Sequence, residues 1–234
     1  MPQRSQVVLE PRKSPVQERS AASVDAILEA TLQVLLSVGK EQLTTTRVAL
    51  RAGVSVGTLY QYFPNKSALL QAALKRHLSA VTDAIELACE QQKGKTPRRM
   101  VTALINAFLE AKMKDAKSSV ALYSVSSDVD GAKIMRQMQG RSDKAIVRML
   151  STASEPLTTD PHLIASILQG AMSGVSRRLL ESGGAEKQFD ILRRELIFVA
   201  CAYVEACVAR VSIQDEPQVL QPAEQGIAVA VAPR

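Results

Sequence analysis

Residues 44 to 70 read TTTRVALRAGVSVGTLYQYFPNKSALL, and this stretch decides the fold. Thr44 is placed to cap a short helix that carries Val48, Ala49 and Ala52 inward and stops at Gly53. Val54 and Ser55 then lead into a second short helix, Val56 to Phe63, which Pro64 cuts off. A turn of about four residues between two short helices is the helix-turn-helix pattern. Ala49 is small where the helices would cross, and Gly53 supplies a turn residue at positive φ. Val48, Val54, Leu59 and Phe63 can close a shared mini-core. Any αα-hairpin with a glycine turn would share the Ala and the Gly, so the reading rests on the residues around them.

On the second helix Leu59 and Phe63 mark the buried side, which leaves Gly57, Thr58 and Gln61 opposite and Tyr60 and Tyr62 at the flanks. A flanking ring can lay its apolar body on the mini-core and send its hydroxyl to a phosphate. Gly57 lets the helix backbone approach DNA, Val56 and Thr58 offer methyls to thymine, and Gln61 can bond an adenine edge. Asn65-Lys66 would open a further helix whose free N–H groups and ammonium face a phosphate together. Tyr60 to Phe63 taken alone also fits an aromatic core patch; the glycine turn and Lys66 favour DNA.

Composition agrees. Of 234 residues 46% are hydrophobic but only 3% aromatic, with no Trp, so the apolar content is that of helices. Three of the eight rings fall in the four residues 60 to 63. The prolines gather near the two ends, which predicts an all-α body of about nine helices between flexible tails. The first eighty residues hold ten Lys/Arg against five Asp/Glu, and the rest nineteen against eighteen. The positive charge is therefore concentrated beside the helix-turn-helix, as a polyanion partner requires. Cys89, Cys201 and Cys207 form no CxxC pair and have only the distant His77 and His162 as co-ligands, so no metal or cofactor is expected. No leader is read at the start, and the longest apolar run, Leu196 to Val204, is about half of the ~18 residues that span a bilayer. The expected location is cytoplasmic, with no membrane partner.

The stretch 44 to 70, with RSAASVDAILEATLQVL before it, resembles the DNA-binding signature of TetR-family transcriptional regulators. The resemblance covers about the first quarter of the chain. It implies an all-α homodimer: an N-terminal three-helix DNA-binding domain, then a larger helical domain that binds a small-molecule effector and dimerises. By motif position it places DNA contacts on Thr46 and Arg47, on Val56, Gly57, Thr58, Tyr60 and Tyr62, and on Lys66; Thr44 and Gln61 join them from the residue reading. The expected organisation is a basic arm over 1–17, the DNA-binding domain over 18–66, the effector and dimerisation domain over 67–213, and a flexible tail over 214–234.

Within the first domain, Val24, Leu28, Thr31, Leu35 and Val38 form one helical stripe that Gly39 is placed to end. A long helix from Ser67 to about Gln92 would join the domains. Further helices are expected at about 97–114, 117–127, 131–153, 160–182 and 186–212, with Gly183-Gly184 as a stop. Gly170 and Gly174 cost about 1 kcal/mol each inside a helix, which close helix contact would offset. The last helix is apolar over most of its circumference, so these two helices are expected to form an intermolecular four-helix bundle, with Gly170, Gly174, Phe198 and Tyr203 at the interface. A buried helix of a monomer is the alternative. For the effector, Met113, Tyr123, Met135, Met138, Met149 and Met172 are the adaptable or amphipathic groups, and Asn106, Arg148 and Gln169 the polar ones. Few buried charges are suggested, so an apolar or aromatic effector is expected. No paired-carboxylate or phosphate-loop motif supports an enzyme. The expected function is a dimeric repressor on a near-palindromic operator, released by its effector. The alternative is an architectural or adaptor DNA-binding protein without one.

Overall fold

A computed structural model describes residues 15–181 and 185–209. Among these residues nine α-helices and one 3-10 turn form the chain, with no strand. α1 spans Pro15–Gln42 and therefore begins inside the expected N-terminal arm; residues 1–14 lie outside the described residues. Gly39 breaks α1 as its position suggests, with φ 73 and ψ 175 inside the span. α2 (Thr45–Ala52) is capped by the Thr44 side chain, which accepts from the Arg47 N–H, and ends at Gly53 with φ 68. α3 (Val56–Tyr62) is capped by Ser55. α4 (Lys66–Gln91), α5 (Pro97–Met113), α6 (Ala116–Ser124), the 3-10 turn Ser126–Asp128, α7 (Gly131–Leu150), α8 (Pro161–Glu181) and α9 (Ala185–Ala209) complete it. The expected stop at Gly183-Gly184 and the tail over 214–234 lie outside the described residues.

Two apolar cores organise these helices. The first joins Ile27, Leu28 and Leu35 of α1 with Val48, Leu59, Phe63 and the first half of α4. It also takes in Leu122 and Val125 at the end of α6, with Val129, Ile134 and Met138 beyond. The second gathers Val81, Ile85 and Cys89 from the far half of α4 with α5, α7, α8 and α9. The expected division at residue 66 is thus a division of sequence rather than of packing. α4 lies in both cores, and α6 with the start of α7 is packed onto the DNA-binding half.

Arg141 of α7 fastens the long contact between α4 and α7. Its guanidinium donates to Glu86 Oε1 and Oε2 at 3.1 and 2.6 Å and to Asp83 Oδ1 at 2.8 Å, a forked geometry that a lysine could not reproduce. α1 is long and apolar enough over Ser20–Gln42 to match a membrane-crossing helix in length and composition. Here its apolar stripe is spent on a protein core, while Asp25 and Glu29 sit on its exposed side near Arg76 of α4.

Candidate nucleic-acid interface and ligand cavity

The short helices α2 and α3 owe their positions to caps and to one buried strip. Val48 and Leu59 are completely buried and Ala49 and Phe63 nearly so, which fixes which side of α3 remains outside. That outer side carries Val56, Gly57, Tyr60 and Gln61, all exposed, and a Cβ at Gly57 would meet only the Ser55 hydroxyl. The backbone of α3 is therefore open to close approach. Thr44, Thr46 and Arg47 are exposed on α2 and its cap. Tyr62 is half-buried against the first core, as a flanking ring would be.

Several of the expected contacts are held by the protein itself. The Tyr60 hydroxyl lies 3.0 Å from Thr45 Oγ1. Thr58 is half-buried, its hydroxyl 2.8 Å from Ser55 Oγ, so it belongs partly to the cap of its own helix. Lys66 is half-buried and donates from Nζ to the carbonyl of Lys40 at 2.8 Å, which satisfies a carbonyl left over where α1 ends. The ammonium expected to face phosphate thus begins as a tie between α4 and α1, with further N–H donors left over. Arg47 donates to the Gln42 carbonyl at 3.0 Å and is steered rather than loose. Thr45 is the residue the sequence reading missed. It sits one position past the cap, where only the fold brings it to Tyr60.

In the second half a cavity of about 840 Å³ opens between α4, α5, α6, α7 and α8. Of the residues expected to meet an effector, Tyr123, Met135, Met138, Gln169 and Met172 line it, whereas Met149 is buried in the second core. Met113 faces a second, more open groove lined chiefly by α1, α4, α5 and α6, with Leu180 of α8 and Phe189 of α9 at its edge. Asn106 and Arg148 line neither space; Arg148 is exposed near Cys89, since a polar residue on an exposed helix face has water as its partner. The walls missed by sequence include the inner stripes of α4 and α5, with Leu78, Val81, Ile85 and Phe108, and the last turns of α8 from Ser173 onward.

The cavity also holds a buried charge that the sequence reading did not anticipate. Lys112 is only 4% exposed, its ammonium bonded to the Tyr123 hydroxyl and 4.3 Å from the centre of that ring. Behind it Ser119 donates to the Lys112 carbonyl at 3.1 Å and lies 3.0 Å from His77 Nε2. The serine has one proton, so its oxygen accepts from His77 N–H. Burial, then the nearby Lys112, hold the His77 pKa below the ordinary histidine value, with Asp115 opposing.

A third surface lies on α8 and α9. Leu163 and Ile167, 54% and 49% exposed, continue on the same helix into Gly170 and Gly174, and a Cβ at either glycine would meet nothing within 4 Å. The close packing that would offset these glycines is therefore absent from the described chain. Beside them Ile191, Phe198 and Val199 of α9 are exposed, Phe198 by 68%. Tyr203, expected at the interface, is half-buried and packs against its own core.

A capped helix-turn-helix on a basic half, joined through one long helix to an all-α domain with an internal cavity, defines a DNA-binding regulator. Residues 27–73 match the family described as "Bacterial regulatory proteins, tetR family", and residues 96–203 match "Tetracyclin repressor-like, C-terminal domain". The HTH-type transcriptional repressor KstR of Mycobacterium tuberculosis is 30% identical over 181 residues, covering 73% of this chain and 79% of the relative. A putative transcriptional regulator from Pseudomonas aeruginosa PAO1 superimposes with a TM-score of 0.64 at 19% identity, covering 87% of this chain and 96% of that one. A putative TetR-family regulator from Mesorhizobium loti gives a TM-score of 0.63 at 22% identity, covering 82% and 97%. The chain belongs to the TetR family and is a transcription regulator rather than an enzyme.

Proposed function

We propose that the protein is a cytoplasmic homodimeric repressor that grips a near-palindromic operator with two copies of α3 and lets go when a small molecule fills the cavity. The observation that carries this reading is the double role of α6. Val120, Tyr123 and Ser124 on one side line the cavity, while Leu122 and Val125 on the other belong to the core that positions α1 to α3. A ligand that moves α6 therefore acts on the seating of the DNA-binding helices. Such a ligand shifts the population only as far as it prefers one arrangement over the other.

The exposed apolar stripes of α8 and α9 support the dimer. Two such pairs of helices make a four-helix interface, and two heads one helical turn apart match half-sites spaced by ~34 Å. Thr44, Thr46, Arg47, Val56, Gly57, Thr58, Tyr60, Gln61, Tyr62 and Lys66 are the proposed DNA contacts. The test is fluorescence anisotropy on the DNA upstream of the protein's own gene, with sizing by light scattering. Phe198→Glu should give a monomer that binds operator at least roughly tenfold more weakly, since one head loses its partner. A Phe198→Glu protein that remains dimeric and binds normally would sink the dimer assignment.

A further inference from the structure

We infer that the Lys112–Tyr123 end of the cavity is an anion subsite that takes the carboxylate of an amphipathic effector, whose apolar body lies along Leu78, Val81, Phe108, Met138 and Met172. The inference deepens the effector reading above and rests on it. Lys112 lines the cavity and is almost wholly buried, and among the described residues no carboxylate pairs with it. A buried ammonium without a counter-ion is costly, whereas a methionine of similar length would fill the same place at no such cost. The Tyr123 hydroxyl and ring face offset part of that cost but bring no negative charge. The other ionic groups of the lining, Arg177 and Glu181, are exposed at the end of α8 and bond each other at 2.7 Å, so they leave the interior charge unmatched.

Donor geometry selects the class of anion. An ammonium has three N–H donors, of which Tyr123 accepts one, and a phenol that accepts from lysine still has its own proton to give. Two oxygens of a carboxylate can therefore take one bond from Lys112 and one from Tyr123, with charges of one and one. A phosphate dianion would bring more oxygens and more charge than this pair can match. Among the remaining lining Leu78, Val81, Ile85 and Phe108 with the methionines suit a hydrocarbon body, and the hydroxyls and amides beside them, such as Ser142 and Gln169, are uncharged polar groups.

The experiment compares matched probes on the full-length dimer by calorimetry: octanoate, decanoate, dodecanoate and phenylbutyrate, each against the alcohol of the same skeleton. At least one carboxylate should bind on the order of tenfold more tightly than its alcohol, as a hydrogen bond to a charged group implies. Lys112→Met should abolish that preference while leaving alcohol binding intact, Lys112→Arg should keep it, and Tyr123→Phe should lose part of it. An independent readout is the His77 imidazole, whose NMR titration should move upward when the carboxylate sits beside Lys112 and stay put with the alcohol. Equal binding of the pairs, no binding of any carboxylate, or a preference that survives Lys112→Met would each overturn the subsite. Operator binding is followed on the same samples. A carboxylate preference without any change in DNA affinity keeps the subsite and removes the effector reading, whereas ligand-sensitive DNA binding without the preference does the reverse.

Discussion

The hydroxyl of Tyr60 lies 3.0 Å from Oγ1 of Thr45, fifteen residues earlier, and ties the last turn of α3 to the first turn of α2 on the outer surface. The ring is 47% exposed, so this bond organises a surface rather than a core. Tyr60→Phe should weaken operator binding by roughly 1.5 to 3 kcal/mol, the worth of one hydrogen bond to a charged phosphate, and leave folding stability almost unchanged. Thr45→Val should weaken it less, because the tyrosine hydroxyl remains and only its aim is lost. Anisotropy titrations decide this. A Tyr60→Phe protein that binds as well as the parent would remove Tyr60 from the contact surface.

Lys66 predicts a different signature. Its ammonium carries charge to the DNA, so Lys66→Ala should reduce the slope of log affinity against log salt by about one, whereas Tyr60→Phe leaves the slope alone. The same substitution breaks the bond to the Lys40 carbonyl and should cost about 1 kcal/mol of stability. A salt series together with urea unfolding separates the two losses. An unchanged salt slope with reduced stability would make Lys66 purely a tie between α1 and α4.

His77 should make the protein acid-sensitive. Its pKa is lowered in the fold by burial and by Lys112, with Asp115 opposing and Ser119 bonded to its ring. The unfolded chain therefore takes up a proton at a higher pH than the folded one. Stability from this group is fully present above the ordinary histidine pKa of about 6.5 and is lost as pH falls from there toward the lowered folded value. Urea midpoints should decline across that window in the parent and decline less in His77→Gln, which can still bond Ser119 but does not titrate there. Parallel curves for the two proteins would rule His77 out as the source.

The helix-turn-helix was legible because its determinants are local: a cap at Thr44, a positive φ at Gly53 and a two-residue buried side on α3 all reside within twenty residues. The long helices were legible for the same reason, from apolar stripes broken by Gly39, Gly94 or Pro97. The cavity was not, because it is made where five helices fail to fill the space between them, and no single stripe records that. One local signal was available. Val101, Ile105 and Phe108 continue at helical spacing to Lys112, so a charge stands where the stripe calls for an apolar residue. Tyr123 and Gln169 stand out as adaptable or polar groups, whereas Lys112 looks in sequence like any solvated lysine. Asn106 and Arg148 looked equivalent to Gln169 in sequence, and only the rotation of their helices separates them.

Cys89 is buried, and that burial pushes its thiol up to about 12, against a weaker opposing pull from Arg148. At neutral pH it holds no thiolate with which to react. Ellman's reagent should therefore leave the native protein largely unlabelled, since Cys201 and Cys207 are buried as well, and should titrate all three thiols once urea unfolds it. The sign for stability is the opposite of that for His77. Above about pH 9 the unfolded thiol ionises while the folded one does not, so this contribution falls as pH rises. Rapid labelling of one thiol per chain in buffer, mapped by mass spectrometry to Cys89, would show that the second core opens at α4.

Gly131 is the tightest point of the connection between α6 and α7. A Cβ there would lie 2.6 Å from the carbonyl oxygen of Ser126 and 2.7 Å from its Cβ, and the preceding Asp130 already sits at φ 53. Neither obstacle is the far end of a flexible side chain, so the backbone itself must move. Gly131→Ala should cost about 1 to 3 kcal/mol, the usual toll for forcing a methyl into a filled site. The strain falls on the turn that carries Val129 and Ile134 into the core of the DNA-binding half while Met135 and Met138 face the cavity. The substitution should therefore alter the response of DNA binding to ligand as well as the urea midpoint. Gly140, which has nothing within 4 Å of its own Cβ position, is the control on the same helix, and Gly140→Ala should be neutral or mildly stabilising. Equal midpoints for the two alanine variants would show that the turn yields freely and that α6 and α7 are not rigidly joined there.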